Sequence, residues 1–168
     1  MLKFNQFLDE SYLDSNHAPL YHKTDTFALE SIIDSDTLNT GIYDNPYGNK
    51  EVKMISLTRN KKLDMSNYRM TLNTIISLDK NLLKNSYEII PYDFFIHSHK
   101  EIFPKWDINR KENFEYEEIV LENITNLHKY LLEIEIIGDF VQINTIYNKL
   151  QDYKNKFNIK IKINNELL

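Results

Sequence analysis

The chain of 168 residues lacks cysteine and is poor in glycine. The absence of cysteine excludes a thiol nucleophile, a thiolate zinc site and a disulfide framework. Glycine occurs at only three positions, 41, 48 and 138. These positions cannot form a GxGxxG turn or a Walker loop. Any dinucleotide site must therefore use an architecture other than a Rossmann turn.

Long hydrophobic runs are also absent. The longest apolar stretches fall far short of a membrane span, and residues 1–6 lack the apolar block of a secretory signal. We therefore expect a cytoplasmic protein with no membrane partner. The abundance of Asn, Ile, Lys and Tyr and the scarcity of Gly and Ala are typical of AT-rich coding, as in many phages and some bacteria. For a phage-encoded chain, the expected location is the host cytoplasm.

Charge is distributed unevenly along the sequence. The net charge is −5, which argues against a molecule that binds polyanions over its whole surface. Residues 112–135 are rich in acidic side chains, whereas residues 149–162 are basic. The basic stretch is either a solvated face or a nucleic-acid contact.

Three segments have apolar residues at helical spacing. We expect an N-terminal helix over residues 2–13, a helix capped by Thr24 or Asp25 that runs to about Asp34, and a long helix over residues 140–157. A helical turn or a hairpin is expected at residues 79–85, and a short helical piece at residues 126–130.

Strands are predicted where apolar residues alternate or β-branched residues cluster. They cover residues 19–24, 52–57, 71–78, 87–90, 114–120, 131–137 and 159–163. Residues 40–51 are predicted to form a loop and residues 92–113 an irregular excursion. Several strands follow one another without an intervening helix, which favours one α+β domain over residues 1–168 and argues against a doubly wound sheet.

His22 ends the first predicted strand, directly before a helix start. An imidazole in this position can hydrogen-bond a sugar hydroxyl or exchange a proton near neutral pH. The alternative is a partly buried structural histidine. Thr24 is either a second binding residue or a plain helix cap.

Ser56 and Thr58 place two hydroxyls on one face of a predicted strand. They can brace a ligand or a neighbouring strand, and the alternative is the polar face of an edge strand. Arg59 follows directly. Its guanidinium suits a pyrophosphate better than an ammonium does, although a surface arginine is the alternative.

Glu115 and Glu117 point the same way from a strand, within about 7 Å of each other. Two carboxylates on one face repel each other unless a ligand or cation uses them, which makes the pair a candidate site. The alternative is a solvated acidic strand. Glu118 faces the other way unless a bulge pairs it with Glu115.

His97 and His99 could present two imidazoles together. The spacing supplies no third ligand, and a zinc site needs at least three protein groups. We therefore expect no metal site. The sequence also has no GxSxG or HExxH motif.

Three segments carry a resemblance when they are taken in order: residues 20–24 (LYHKT), residues 55–59 (ISLTR) and residues 114–118 (FEYEE). A strand with His-x-Thr before a helix, a strand with Ser-Leu-Thr-Arg and a strand with Glu-x-Glu-Glu resemble the ADP-ribosyltransferase-like superfamily. The chain looks closest to small proteins of this kind from phage and prophage genomes. The resemblance covers about residues 20–137. It implies a split β-sheet core with flanking helices and an NAD cleft between the halves.

The resemblance implies a role for each residue. His22 would bind ribose hydroxyls of NAD, and Thr24 would support the adenosine side. Ser56 and Thr58 would brace the nicotinamide pocket. A glutamate would bind the ribose and stabilise the oxocarbenium ion as nicotinamide leaves. Glu117 is favoured for this role.

Further roles follow from the same resemblance. Glu115 would activate the acceptor, and Glu118 is the third catalytic candidate. Arg59 is a candidate for the pyrophosphate, and Tyr43 or Tyr47 on the loop would stack on nicotinamide. Members that begin with His usually have a tyrosine in the second strand, whereas Ser-Leu-Thr is typical of members that begin with Arg. This chain mixes the two branches.

We expect a mono-ADP-ribosyltransferase that cleaves NAD and transfers ADP-ribose to a protein or nucleic-acid acceptor. One alternative is an inactive protein of this fold, acting as a phage structural component or as a binder of a host protein. Another alternative is a toxin, either an NAD glycohydrolase or a nuclease, with an antitoxin as its partner.

Overall fold

The computed structural model of the chain describes residues 19–44, 51–59, 61, 74–91, 117–137 and 140–164. Within these ranges it contains three α-helices, one 3-10 turn and ten strands, so the fold is α+β, as predicted. The N-terminal helix expected over residues 2–13 and the excursion expected over residues 92–113 lie outside the described residues.

The described α-helices are α1 (Thr26–Ser35), α2 (Lys80–Lys84) and α3 (Phe140–Phe157). Two of them begin after an aspartate that caps the first turn. Asp25 Oδ1 accepts a hydrogen bond from Ala28 N at 2.6 Å, and Asp79 does the same for two N–H groups of α2. Such caps satisfy N–H groups that have no partner inside the helix. Of the two caps predicted for α1, Thr24 and Asp25, the structure has Asp25.

The strands are β1 (Leu20–Thr24), β2 (Thr37–Leu38), β3 (Gly41–Asp44), β4 (Glu51–Thr58), β5 (Thr74–Leu78), β6 (Ile90–Pro91), β7 (Glu117–Val120), β8 (Ile124–Thr125), β9 (Leu131–Ile137) and β10 (Lys160–Asn164). Seven of them pair in the order β10-β9-β5-β1-β4-β7-β6, with β3 paired to β4 beside this path. A separate small sheet joins β2 and β8. The β9–β10 ladder is parallel, and α3 supplies the crossover that a parallel pair requires.

One face of the large sheet packs against α1 and α3, and we call it the core face. The fully buried side chains Leu20, Leu29 and Ile76 belong to this core. On α3, the apolar stripe that the sequence predicts contributes Ile146 and Leu150. The core face therefore fixes the position of the central strands relative to both long helices.

Some predicted boundaries are wrong. Residues 40–51 are not simply a loop, because β3 pairs with the start of β4 from Gly41 to Asp44. The strand expected over residues 87–90 is only Ile90–Pro91, opposite β7. Short strands such as β8 carry too few residues to show an alternating pattern, so their pairing depends on the tertiary fold.

In the described ranges, three turns adopt a left-handed backbone without glycine. Asp36, Asn126 and Asn158 have φ values of 48°, 51° and 54°. Asp and Asn tolerate this region better than other residues that carry a Cβ. The chain therefore makes these turns with short polar side chains.

The basic stretch near the C-terminus lies largely in ion pairs. Lys149, Lys160 and Lys162 each contact an acidic side chain. Glu135 also binds Lys61 at 2.6 Å. Hydrogen bonds from Lys61 and then Lys162 outweigh burial and lower the pKa of Glu135 to about 2. These contacts hold β10 against β9 and reduce the positive charge that the sequence suggests.

Asp36 joins three segments at the end of α1. Its carboxylate accepts from His128 N at 2.9 Å, from His128 Nδ1 at 2.5 Å and from the Tyr153 hydroxyl at 2.5 Å. Its backbone oxygen accepts from Leu127 N, while the His128 ring stacks on Phe157. Burial opposes ionisation, but the Tyr153 and His128 hydrogen bonds lower the pKa of Asp36 below its ordinary value.

Replacing Asp36 with asparagine tests this junction. We expect D36N to lower the free energy of unfolding at pH 7 by about 1.5–3 kcal/mol, the usual range for hydrogen bonds to a charged group. The folded-state pKa lies below the unfolded value of 3.8. The advantage of the wild type should therefore be complete well above this pH and disappear as pH falls through the folded pKa. Urea unfolding of both proteins from pH 7 to pH 3 measures this, and an advantage independent of pH would contradict it.

Candidate functional site

The three segments that carry the resemblance lie on adjacent strands. His22 is in β1, Ser56 and Thr58 are in β4, and Glu117 and Glu118 are in β7. The strands are neighbours in the order β1-β4-β7. Segments far apart in the sequence therefore meet in one part of the sheet.

The ladder between β1 and β4 is short, and we call this part of the sheet the split. These strands share a single register pair, Tyr21 with Thr58, whereas β1 and β5 share five. Towards its C-terminal end β1 has no further register partner in β4. Along its other edge, the second half of β4 pairs with β7. The first half of β4 pairs with β3. The split therefore extends from the Tyr21–Thr58 pair towards Thr24.

The side chain of His22 joins β1 to β4 within the split. Its Nδ1 lies 3.0 Å from the carbonyl oxygen of Ser56. A carbonyl can only accept, so Nδ1 carries the proton and donates it. Burial lowers the pKa of His22 below 6.5, although the bond to Ser56 acts in the opposite direction. The imidazole is therefore neutral at pH 7, and its Nε2 is a hydrogen-bond acceptor.

His22 lies on the core face of β1. It pairs with Ile76 in the β1–β5 ladder, and directly opposed residues of an antiparallel pair share a face. Ile76 belongs to the core. Thr24, two residues further, shares this face and is buried. Thr24 is the last residue of β1. The cap of α1 is Asp25 and not Thr24.

The opposite face of the same strands carries hydroxyl side chains. Ser77 pairs with Tyr21, Tyr21 pairs with Thr58, and Thr58 pairs with Glu117. These four positions form one transverse row across β5, β1, β4 and β7. Ser56 lies on the same face as Thr58, because two residues separate them along the strand. The predicted site residues therefore occupy both faces of the sheet.

Glu118 belongs to a buried ion cluster on the core face. Its Oε1 accepts from Lys80 Nζ at 2.6 Å and lies 3.4 Å from Arg59 Nε. The Glu118 and Lys80 side chains are only 6% and 10% exposed. The other carboxylate oxygen of Glu118 is buried and has no hydrogen-bond partner among the described residues. Two cations thus neutralise the one glutamate of β7 whose side chain is described.

Several predicted site residues cannot be placed at this site. Tyr43 lies in β3, where the backbone pairs with Val52, and its side chain is not among those described. Tyr47, Glu115 and the histidines at 97 and 99 lie outside the described residues.

Two residues at the site escape prediction from the sequence. Lys80 is a helix residue among many lysines, and no local pattern indicates that it is buried against β7. Tyr21 lies inside the quoted segment LYHKT, directly before His22. The alternation of strand side chains is the signal that could have placed Tyr21 and His22 on opposite faces.

The described part of the chain shows no group of three or more metal-binding side chains. None of the described helices is long and apolar enough to span a membrane.

The protonation state of His22 can be measured directly. We expect NMR at pH 7 to show a neutral imidazole with the proton on Nδ1 and a titration midpoint below 6.5, because burial opposes its charge. Protonation is then easier in the unfolded chain, so the free energy of unfolding should fall as pH drops below about 6.5. The same histidine in urea is the control. A folded midpoint at or above the unfolded one contradicts the assignment.

The Lys80–Glu118 pair predicts a pattern of stabilities. K80M leaves a buried carboxylate without its nearest cation, so we expect a loss of about 3–5 kcal/mol. The double variant K80M/E118L removes both charges and should recover most of that loss, since apolar replacement of a buried pair is often neutral. K84M, which changes an exposed lysine of the same helix, is the matched control. Equal unfolding midpoints in urea for K80M and K84M would rule out this role.

No protein-family model matches the sequence, and a search of curated proteins finds no match to it.

Proposed function

We propose that this chain cleaves NAD and transfers ADP-ribose to an acceptor, at a site centred on the split between β1 and β4. The observation that carries the proposal is the convergence of the His22, Ser56–Thr58 and Glu117 segments on three adjacent strands. His22 would reach the substrate from the core face of the split and Glu117 from the opposite face. The single register pair between β1 and β4 supports it further, because an ADP-ribosyltransferase-like fold would have its nucleotide cleft between two halves of a sheet.

His22 binds the substrate as a neutral acceptor in this proposal. The Ser56 carbonyl fixes the ring and its tautomer, which leaves Nε2 to accept a hydrogen bond from a ribose hydroxyl. The lowered pKa of His22 keeps this lone pair available at neutral pH. A charged imidazolium could only donate, so the burial of His22 serves this binding role.

Glu117 carries the chemistry in this proposal. When nicotinamide leaves, positive charge develops on the ribose, and a nearby carboxylate stabilises it. Glu118 is already neutralised by Lys80 and Arg59. Glu117 is the residue of β7 that stands in register with Thr58, the hydroxyl residue of the neighbouring strand. Glu118 instead anchors β7 from the core face.

A second candidate function is favoured by the burial of the hydroxyl row. Tyr21, Thr58 and Ser77 are 8%, 7% and 5% exposed, which suits a packed face as well as a binding face. An inactive protein of this fold, which binds a macromolecule without cleaving NAD, would have this property. Calorimetric titration with NAD separates the two functions, since the inactive protein should release no heat of binding.

A substitution of Glu117 tests the first function. We expect E117A to lose at least about a hundredfold of NAD cleavage, because removing one electrostatic contact to a transition state costs about that much. E122A is the matched control, since Glu122 is an exposed glutamate just beyond β7. The assay follows nicotinamide release and transfer of labelled ADP-ribose to a cell extract. Equal turnover by E117A and the wild type would refute the assignment, and no turnover by the wild type would favour the inactive protein.

A further inference from the structure

The most exposed large apolar side chain in the described part of the chain is Phe27 of α1, at 87% exposure. Leu29, Ile32 and Ile33 of the same helix are buried in the core. The amphipathic pattern of α1 therefore leaves Phe27 on the outer side of the helix. A polar residue at this position would serve the fold equally well, so packing does not explain the aromatic ring.

Phe27 begins a stripe along the outer side of α1. An open groove of about 400 Å³ is lined by Phe27, Glu30, Ser31, Asp34 and Ser35. Positions 27, 30, 31 and 34 follow the spacing i, i+3, i+4 and i+7, so they lie on one helix face. The groove thus combines an aromatic end with two carboxylates one turn apart.

The groove keeps an excess of negative charge. Lys149 of α3 contacts both carboxylates, at 2.8 Å from Glu30 and 2.6 Å from Asp34. One ammonium faces two carboxylates, and the three side chains are between 39% and 54% exposed. Exposed pairs of this kind are weak, so a second cation from outside can join or replace Lys149.

The location of the groove links it to the split sheet. Phe27 lies three residues beyond Thr24, the last residue of β1. The split between β1 and β4 extends in this direction, since their one register pair is near the start of β1. Phe27, at the aromatic end of the groove, therefore follows closely in sequence after the end of β1 that has no register pair with β4.

We propose that the α1 groove, defined as Phe27, Glu30, Ser31, Asp34 and Ser35, docks a basic segment of a protein partner, in which an apolar residue covers Phe27 and an arginine or lysine meets Glu30 and Asp34. Charge complementarity selects this occupant, because the phosphates of a nucleic acid would be repelled by the same carboxylates. The assignment of this partner as the ADP-ribose acceptor rests on the proposed function. The docking itself does not.

The test uses the full chain and defined probes. One probe is a synthetic amphipathic peptide with leucines and arginines at helical spacing, the second is the same peptide with glutamate in place of arginine, and the third is a single-stranded RNA. Fluorescence anisotropy compares the wild type with F27A, E30Q/D34N and L82A. Leu82 is an exposed leucine of α2, so L82A is the matched control for loss of exposed apolar surface.

We expect the arginine peptide to bind, with affinity that falls as salt rises, because the contact charges are exposed. F27A and E30Q/D34N should each weaken binding about tenfold or more, and L82A should leave it unchanged. Equal binding to all four proteins overturns the proposal, as does tighter binding of the glutamate peptide or of RNA that depends on the groove residues. Self-association of the wild type that F27A abolishes, without peptide binding, assigns the groove to a second copy and also overturns the proposal.

A second readout separates this proposal from the proposed function. With NAD present, F27A and E30Q/D34N should reduce ADP-ribose transfer to the arginine peptide but leave nicotinamide release into water unchanged. A wild type that binds the peptide and releases no nicotinamide refutes the NAD reaction and leaves the docking surface standing. A wild type that releases nicotinamide but does not bind the peptide refutes the docking surface alone.

Discussion

The short ladder between β1 and β4 is the constraint on which the centre of the structure depends. When two strands separate, their facing carbonyl and N–H groups lose their ladder partners, and burying them unpaired is costly. His22 resolves part of this problem by donating its Nδ1 proton to the Ser56 carbonyl. A side chain thus supplies a donor to a backbone carbonyl beyond the single register pair of these strands. The same bond fixes the imidazole ring, so one interaction serves both the sheet and the proposed site.

Charge neutralisation is the second organising interaction, and it acts at both ends of the sheet. Glu118 near one edge is held by Lys80 and Arg59, while Glu135 near the other edge is held by Lys61 and Lys162. Burying a carboxylate is unfavourable unless cations and hydrogen-bond donors surround it. The sheet therefore depends on lysines that come from loops, helices and the last strand. Although the chain has a net charge of −5, these two buried carboxylates are each paired with cations.

Much of the fold can be predicted from the sequence where a pattern is long or a cap is explicit. The helix after Asp25, the strand over residues 131–137 and the helix over residues 140–157 are confirmed because apolar periodicity and capping act locally. The strands β3 and β8 could not be predicted, since their residues pair only when the chain brings distant partners together. For the site, the sequence indicates which strands hold the candidate residues. It does not predict the burial of Lys80 or the division of His22 and Thr58 between opposite faces, because register is set by the whole sheet.

The left-handed residues Asp36, Asn126 and Asn158 have a consequence for the unfolded chain. Glycine at such positions would relieve steric strain in the folded state, but it would also widen the range of conformations available after unfolding. By using Asp and Asn, the chain accepts a small local strain and keeps its denatured ensemble narrower. Asp36 further converts its turn into a junction of three segments, which glycine could not do. The use of Asp and Asn in place of glycine thus reduces the conformational entropy that these turns gain on unfolding.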